Sequence, residues 1–230
     1  MPENPLPIVI ALGGNAISPP ETEGNIPQQF AQTRVTSQAL ADLVEAGRNM
    51  IIAHGNGPQV GNAIRRVELS AHEVYTLDLG ICVADLQGGM GYMISQCLIN
   101  ELHRRGIQRD VSTIVTSIIV DRFDPAFDDP TKPIGSMRTP ERAEQFRRDF
   151  NWHIKPMPKG GYRRVVASPQ PQEILEINLL RRLVRDGEIL IAAGGGGIPT
   201  VREEDGRLEG VEAVIDKDLA AALLAREVRS

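Results

Sequence analysis

Three short apolar runs in this chain each break into glycine. Leu6-Pro-Ile-Val-Ile-Ala-Leu12 ends in Gly13-Gly14-Asn15, Met50-Ile-Ile-Ala53 in His54-Gly55-Asn56-Gly57, and Glu188-Ile-Leu-Ile-Ala-Ala193 in Gly194-Gly195-Gly196-Gly197. A run that is apolar at every residue, not at alternate ones, reads as a strand buried on both faces, the habit of parallel sheets covered by helices. Parallel neighbours need a crossover between them, usually a helix, and helical spacing fills the intervals. Val35, Ala39, Leu40, Leu43 and Val44 recur through a segment from about Gln28 to Ala46, which Gly47 can stop. Pro58 suits the first turn of a second helix striped by Val60, Ala63, Ile64 and Val67. A long helical stretch covers about Leu79 to Arg105 and closes at Gly106.

Further on, Val111 to Val120 is strand-like, and Arg164-Val-Val-Ala167 suggests a strand that resumes the sheet. Gln172 to Arg185 reads as a helix, Arg202 to Gly206 as a hairpin tip and Asp216 to Arg226 as the last helix. Strand and helix in alternation predict an α/β fold, a three-layer α/β/α sandwich around a mainly parallel central sheet. Ser18 to Pro27 is a polar connection. Between Asp121 and Gly161 the texture changes, with Pro125, Pro130, Pro133, Pro140, Pro156 and Pro158 set among charges. That is too long for an ordinary loop. The expected organisation is one domain over residues 1–230 with a small protruding subdomain inserted at 121–163.

Bulk properties exclude several classes. A net charge of −5 argues against a nucleic-acid binder, which would show a basic face. It does not argue against a small anion, because a few local donors outweigh a distant negative surface. Cys82 and Cys97, both in apolar helix-like sequence, read as buried thiols. Met1 to Pro7 shows no basic-then-apolar signal, and no apolar run approaches the ~20 residues of a membrane helix. A cytoplasmic protein away from membranes is expected.

Ligands of open α/β sheets sit beyond the carboxyl ends of the strands. Glycine there lets the backbone come close, and the amides of the following helix point outward with partial positive charge. One glycine turn would mean only a tight bend; three at corresponding strand ends, two of them carrying Asn15 and Asn56, predict a site for phosphate or carboxylate. No P-loop sequence occurs, and no GxGxxG follows the first strand. His54, His72, His103 and His153 are scattered without metal-ligand spacing. His54 is open to a structural role at its turn or a catalytic one. Asp216-Lys217-Asp218 is either a capping aspartate with a surface lysine or a lysine facing phosphate beside a carboxylate. Lys132 is a solvated loop lysine or a second phosphate contact.

Together, Ala11-Leu-Gly-Gly-Asn-Ala16, His54-Gly-Asn-Gly-Pro-Gln-Val-Gly61, Gln87-Gly-Gly-Met-Gly-Tyr92, Lys132-Pro-Ile-Gly135, Ser168-Pro-Gln-Pro171, Gly194-Gly-Gly-Gly-Ile-Pro199 and Gly210-Val-Glu-Ala-Val-Ile-Asp-Lys-Asp218 resemble the carbamate kinases of the amino-acid kinase superfamily. The resemblance spans essentially the whole chain. It implies a cytoplasmic homodimer that moves a phosphoryl group reversibly between ATP and carbamate, with Mg2+ accompanying ATP or ADP and with carbamoyl phosphate drawn from arginine or purine breakdown. By the same resemblance, Gly13, Gly14 and Asn15 cradle the transferred phosphoryl group, and Gly55, Asn56 and Gly57 hold the carbamate or carbamoyl end. Lys217 neutralises charge on the transferred group, Asp218 orients the lysines, Lys132 closes from the subdomain, and Gly196 and Gly197 line the nucleotide side.

The family pattern continues for several dozen residues past the position of Ser230, with a strand, adenine contacts and a further phosphate-reaching lysine. The residues after Lys132-Pro-Ile-Gly135 also differ from the family's. The expectation is therefore a C-terminally truncated family member, with a catalytically inactive anion-binding or assembly protein of the same fold as the alternative. A kinase of acetylglutamate or UMP fits the His54–Gly61 and Lys132–Gly135 motifs less well.

Overall fold

A computed structural model describes residues 6–18 and 23–229. The first five residues of the stretch read for a signal, Pro19–Thr22 of the polar connection, and Ser230 lie outside the described residues. In chain order the elements are β1 (Ile8–Leu12), α1 (Ile26–Glu45), β2 (Met50–His54), α2 (Gly57–Ser70), α3 (Leu79–Arg104), β3 (Val111–Thr113), β4 (Ser117–Val120), β5 (Lys132–Arg138), α4 (Pro140–Phe150), β6 (Ile154–Pro156), β7 (Tyr162–Val166), β8 (Pro171–Ile174), α5 (Ile177–Arg185), β9 (Ile189–Ile191), β10 (Ile198–Arg202), β11 (Leu208–Gly210) and α6 (Lys217–Val228).

The expected α/β/α sandwich is present. β1, β2, β9 and β3 form a parallel sheet in that order. Met50, Ile52, Ile189 and Ile191 pack with Leu40, Ala41 and Val44 of α1 and Met90, Ile94 and Leu98 of α3. Ile51 and Leu190 join the opposite core with Leu180 and Val184 of α5 and Leu223 and Leu224 of α6. The strands are apolar throughout because alternate residues serve two different cores. Each fully buried Ile or Leu contributes roughly 1.5–3 kcal/mol.

Val111–Val120, read as one strand, is two. The chain leaves the first sheet after β3 and enters a second, ordered β11-β10-β4-β8, at β4; β9 and β10 make the same passage beside it. Thr116 sits at the crossing. Its N–H donates to Gln87 Oε1 (2.7 Å), its carbonyl accepts from Gln87 Nε2 (3.1 Å), and its hydroxyl accepts the Ala193 N–H (3.0 Å). Buried side-chain groups thus satisfy the backbone where the ladder is interrupted.

Gln172–Arg185 is also not one helix. Pro171–Ile174 pairs antiparallel with β4 as β8, and only Ile177 onward is helical. Pairing to a neighbouring edge overrides the local helical spacing.

α1 buries Gln29, Thr33, Ser37, Leu40, Ala41 and Val44, while Val35, Ala39 and Leu43 of the expected stripe are exposed. Polar residues can face α3 here because Thr33 and Ser37 donate to the carbonyls of Gln29 (2.7 Å) and Thr33 (2.8 Å) in their own helix.

Arg164–Ala167, expected to resume the main sheet, instead lies mostly in β7. That strand pairs antiparallel with β5 and β6 to make a separate three-stranded sheet carrying α4. Only Ala167 bridges to the body, at Ala213. The small sheet is tied to α2 in two places. A Cβ on Gly61 would lie 3.3 Å from the Gly135 Cα, and Arg138 donates to both carboxylate oxygens of Glu68 at 2.6 and 2.7 Å. Cys82 and Cys97 are buried free thiols. Among the described residues no helix is long and apolar enough to cross a membrane.

Candidate active site

The first two glycine turns are joined directly, the Gly55 N–H donating to the Leu12 carbonyl at 3.0 Å. Where Cβ atoms would stand on Gly13 and Gly14 nothing lies within 4 Å, and Asn15 is exposed, so this turn borders open space.

Beneath the second turn His54 is 1% exposed, and its Nδ1–H donates to the Gly55 carbonyl at 3.2 Å. Burial pushes its pKa down to about 4 against the opposing pull of that hydrogen bond. The ring is therefore neutral and shut off from any ligand, a support for the turn. Asn56 is also buried, with its Nδ2 unpartnered. Its side chain makes no capping hydrogen bond to α2, which begins at Gly57-Pro58.

The third turn nests against the second. A Cβ on Gly194 would meet His54 Nε2 at 2.5 Å, and one on Gly195 would collide with the Asn56 amide. Gly195 and Gly196 have φ of +66° and +95°, and Gly196 packs on the Ile215 carbonyl just before α6. Gly196 and Gly197, expected along the nucleotide side, are both buried, and Gly197 packs on Ile118. The missing side chain of Gly196 makes room for the Ile215 backbone, and that of Gly197 for the Ile118 side chain.

α6 completes the arrangement. Asp216 is its N-cap, one carboxylate oxygen accepting the Asp218 N–H at 2.9 Å. Lys217 lays its methylene stem across the second turn, its Cδ 3.1 Å from where a Gly55 Cβ would be, and its ammonium donates to Asp218 Oδ1 at 2.6 Å. Lys132, at the start of β5, reaches over from the small sheet. Its ammonium donates to the Ile215 carbonyl at 3.2 Å and stands 3.6 Å from Asp216 Oδ2. Burial pushes the Lys132 pKa below the usual lysine range, with Asp216 pulling the other way.

The geometry thus gathers Gly55, Asn56, Lys217, Asp218 and Lys132 around the start of α6, with the Gly13–Asn15 turn adjoining through Leu12. It alters one expected contact: Asp218 reaches Lys217, while Lys132 is held by Asp216 and a carbonyl. The capping aspartate is Asp216, as one reading of the sequence had it; its contact with Lys132 and the buried Gln87–Thr116 pair escaped sequence reasoning. Asp216 was signalled only by its place one residue before a helix, where a carboxylate has an oxygen to spare. A cavity of about 480 Å³ walled by Trp152, Arg164 and Glu212 contains none of these residues; converging loops, not depth, mark the site. Preformed cations and amides in such a shelf suit a tetrahedral oxyanion.

Residues 7–230 match the amino acid kinase family. The chain is 44% identical over 232 residues to a carbamate kinase of Pyrococcus horikoshii, covering 100% of this chain and 73% of that one. It is 46% identical over 222 residues to a carbamate kinase of Clostridium perfringens, covering 95% and 70%. Its fold superposes with a TM-score of 0.89 on the carbamate kinase from Giardia lamblia bound to AMP-PNP, at 36% identity over 96% of this chain and 70% of that one. The chain belongs to the carbamate kinases of the amino acid kinase family.

Proposed function

We propose that this chain transfers a phosphoryl group reversibly between ATP and carbamate, so that carbamoyl phosphate and ADP yield ATP and carbamate. The observation that carries the reading is the Lys217 stem lying across Gly55, whose amide is tied to the end of the first strand. A cation is thereby built into the junction of two anion-binding turns.

In this reading Gly13, Gly14 and Asn15 cradle the transferred group, and Gly55, Asn56 and Gly57 hold the carbamate end beside the start of α2. Carbamate is already an anion. Its oxygen attacks the γ-phosphorus as the bond to the ADP oxygen breaks, and no proton has to move. A general base is unnecessary, in keeping with the neutral, buried His54. The obstacle is repulsion, roughly 4 kcal/mol per unit-charge pair at 4 Å and an effective dielectric of 20, or about a thousandfold in rate. Lys217 and Lys132 offset it, as positioned cations do in phosphoryl transfer generally. Gly196 and Gly197 shape the nucleotide side from below.

Magnesium enters as part of the nucleotide substrate. Among the described residues no group of three or more His, Cys, Asp or Glu side chains could hold a metal ion. A homodimer belongs to the same reading.

The test is a coupled assay for ATP formed from ADP and carbamoyl phosphate, run on the wild type and on Lys217→Ala. Turnover in the first, and its loss in a Lys217→Ala protein that keeps its circular dichroism and melting temperature, is the expected result. Normal kinetics in the variant would overturn the assignment of Lys217. Wild-type binding of carbamoyl phosphate with no ATP formed would instead identify a non-catalytic anion-binding protein.

A further inference from the structure

We infer that Asp216 is a positioning residue that serves two elements at once, its one carboxylate capping α6 and holding the Lys132 ammonium at the glycine turns. Oδ1 accepts the Asp218 N–H at 2.9 Å, and Oδ2 faces Lys132 Nζ at 3.6 Å. The carbonyl of the preceding residue, Ile215, takes the same ammonium at 3.2 Å.

The Ile215 carbonyl is in turn the surface on which Gly196 packs. The third glycine turn, the start of α6 and the lysine from the small sheet are therefore keyed to two consecutive residues. The other charges facing Lys132 are Lys217, which opposes its protonation, and Asp218, which favours it more weakly than Asp216 does.

Asp216 itself is held below the usual carboxylate range. Burial works against this, but the Asp218 and Leu219 N–H groups and the Lys132 and Lys217 charges together prevail. The carboxylate is thus ionised at neutral pH, as both tasks require. A side chain placed only to cap the helix would have no need of a negative charge, since asparagine caps about as well as aspartate.

That equivalence supplies the experiment. Asp216→Asn keeps the cap and the volume and removes the charge; Asp216→Ala removes both. Reductive 13C-methylation with Lys132→Arg as the assignment control allows the Lys132 amine to be titrated by NMR without reference to activity.

In Asp216→Asn the melting temperature stays near wild type, and the Lys132 titration moves to lower pH by on the order of one unit, a tenfold change in proton affinity. The role in turnover rests on the proposed function. There kcat for ATP formation falls about tenfold, with its alkaline limb shifted the same way, while KM for ADP changes by less than about twofold.

An unchanged Lys132 titration in Asp216→Asn would overturn the proposal. So would an equal loss of activity from Asp216→Asn in wild-type and Lys132→Met backgrounds, which would show that the Asp216 charge acts independently of Lys132. If the wild type makes no ATP, the proposed function fails, and the titration still decides whether Asp216 holds Lys132.

Discussion

Lys217 Cδ lies 3.1 Å from the position a Cβ would take on Gly55, and Cε 3.5 Å. The glycine is therefore present to let a lysine stem lie flat over a turn; its own backbone does not need a left-handed conformation. Gly55→Ala should leave the fold intact, because the atom in the way is part of a flexible side chain. Stability should change by less than about 1 kcal/mol. The ammonium would be displaced, and since misplacement of about 1 Å can cost two orders of magnitude, kcat should fall at least about tenfold. Thermal melts beside steady-state kinetics separate the two effects; equal activity at equal stability would mean that the stem's path is incidental.

His54 gives a pH dependence with a definite sign. Its folded pKa, about 4, is below the 6.5 usual for an exposed imidazole. Between those values the unfolded chain binds the extra proton, so stability rises with pH across this window. It is complete above about pH 6.5 and lost as pH falls towards 4, by up to about 3 kcal/mol. His54→Asn, which can still offer a donor to the Gly55 carbonyl, should lack that slope. Urea midpoints measured from pH 4.5 to 7.5 on both proteins check it.

Glu68 on α2 is 9% exposed overall, and its side chain 2%. It accepts from Arg138 at 2.6 and 2.7 Å and from Arg65 at 2.8 Å. Removing one partner of a buried ion pair strands the other, at a cost of roughly 3–5 kcal/mol. Glu68→Ala should be destabilised at the low end of that range, because the Arg138 guanidinium remains over the Phe146 ring at 5.5 Å. Hydrogen exchange should quicken in residues 132–166 before it does in β1 and β2. Uniform quickening would show that the pair stabilises the whole chain and not the attachment of the small sheet.

The sandwich and the meeting of the glycine turns were legible because each rests on a local pattern. Unbroken apolar runs mean strands with two covered faces, and glycine marks where they end. What escaped depends on partners far along the chain. The break at Ile114–Thr116 exists because Gln87, in the middle of α3, satisfies Thr116. β8 is a strand because β4 offers it an edge, although Ile174 and Leu175 continue the apolar spacing of α5. The aspartates around Lys217 look interchangeable in sequence. They diverge only once helix geometry turns Asp216 back towards β5 and leaves Asp218 exposed beside its neighbour.

The way Lys132 is carried has a consequence for how its charge is placed. The lysine rides on β5, whereas the carbonyl and carboxylate that grip it ride on the approach to α6. The ammonium's place beside the glycine turns is therefore set jointly by the seating of the small sheet on α2 and by the start of α6, and a change in either would carry the charge with it.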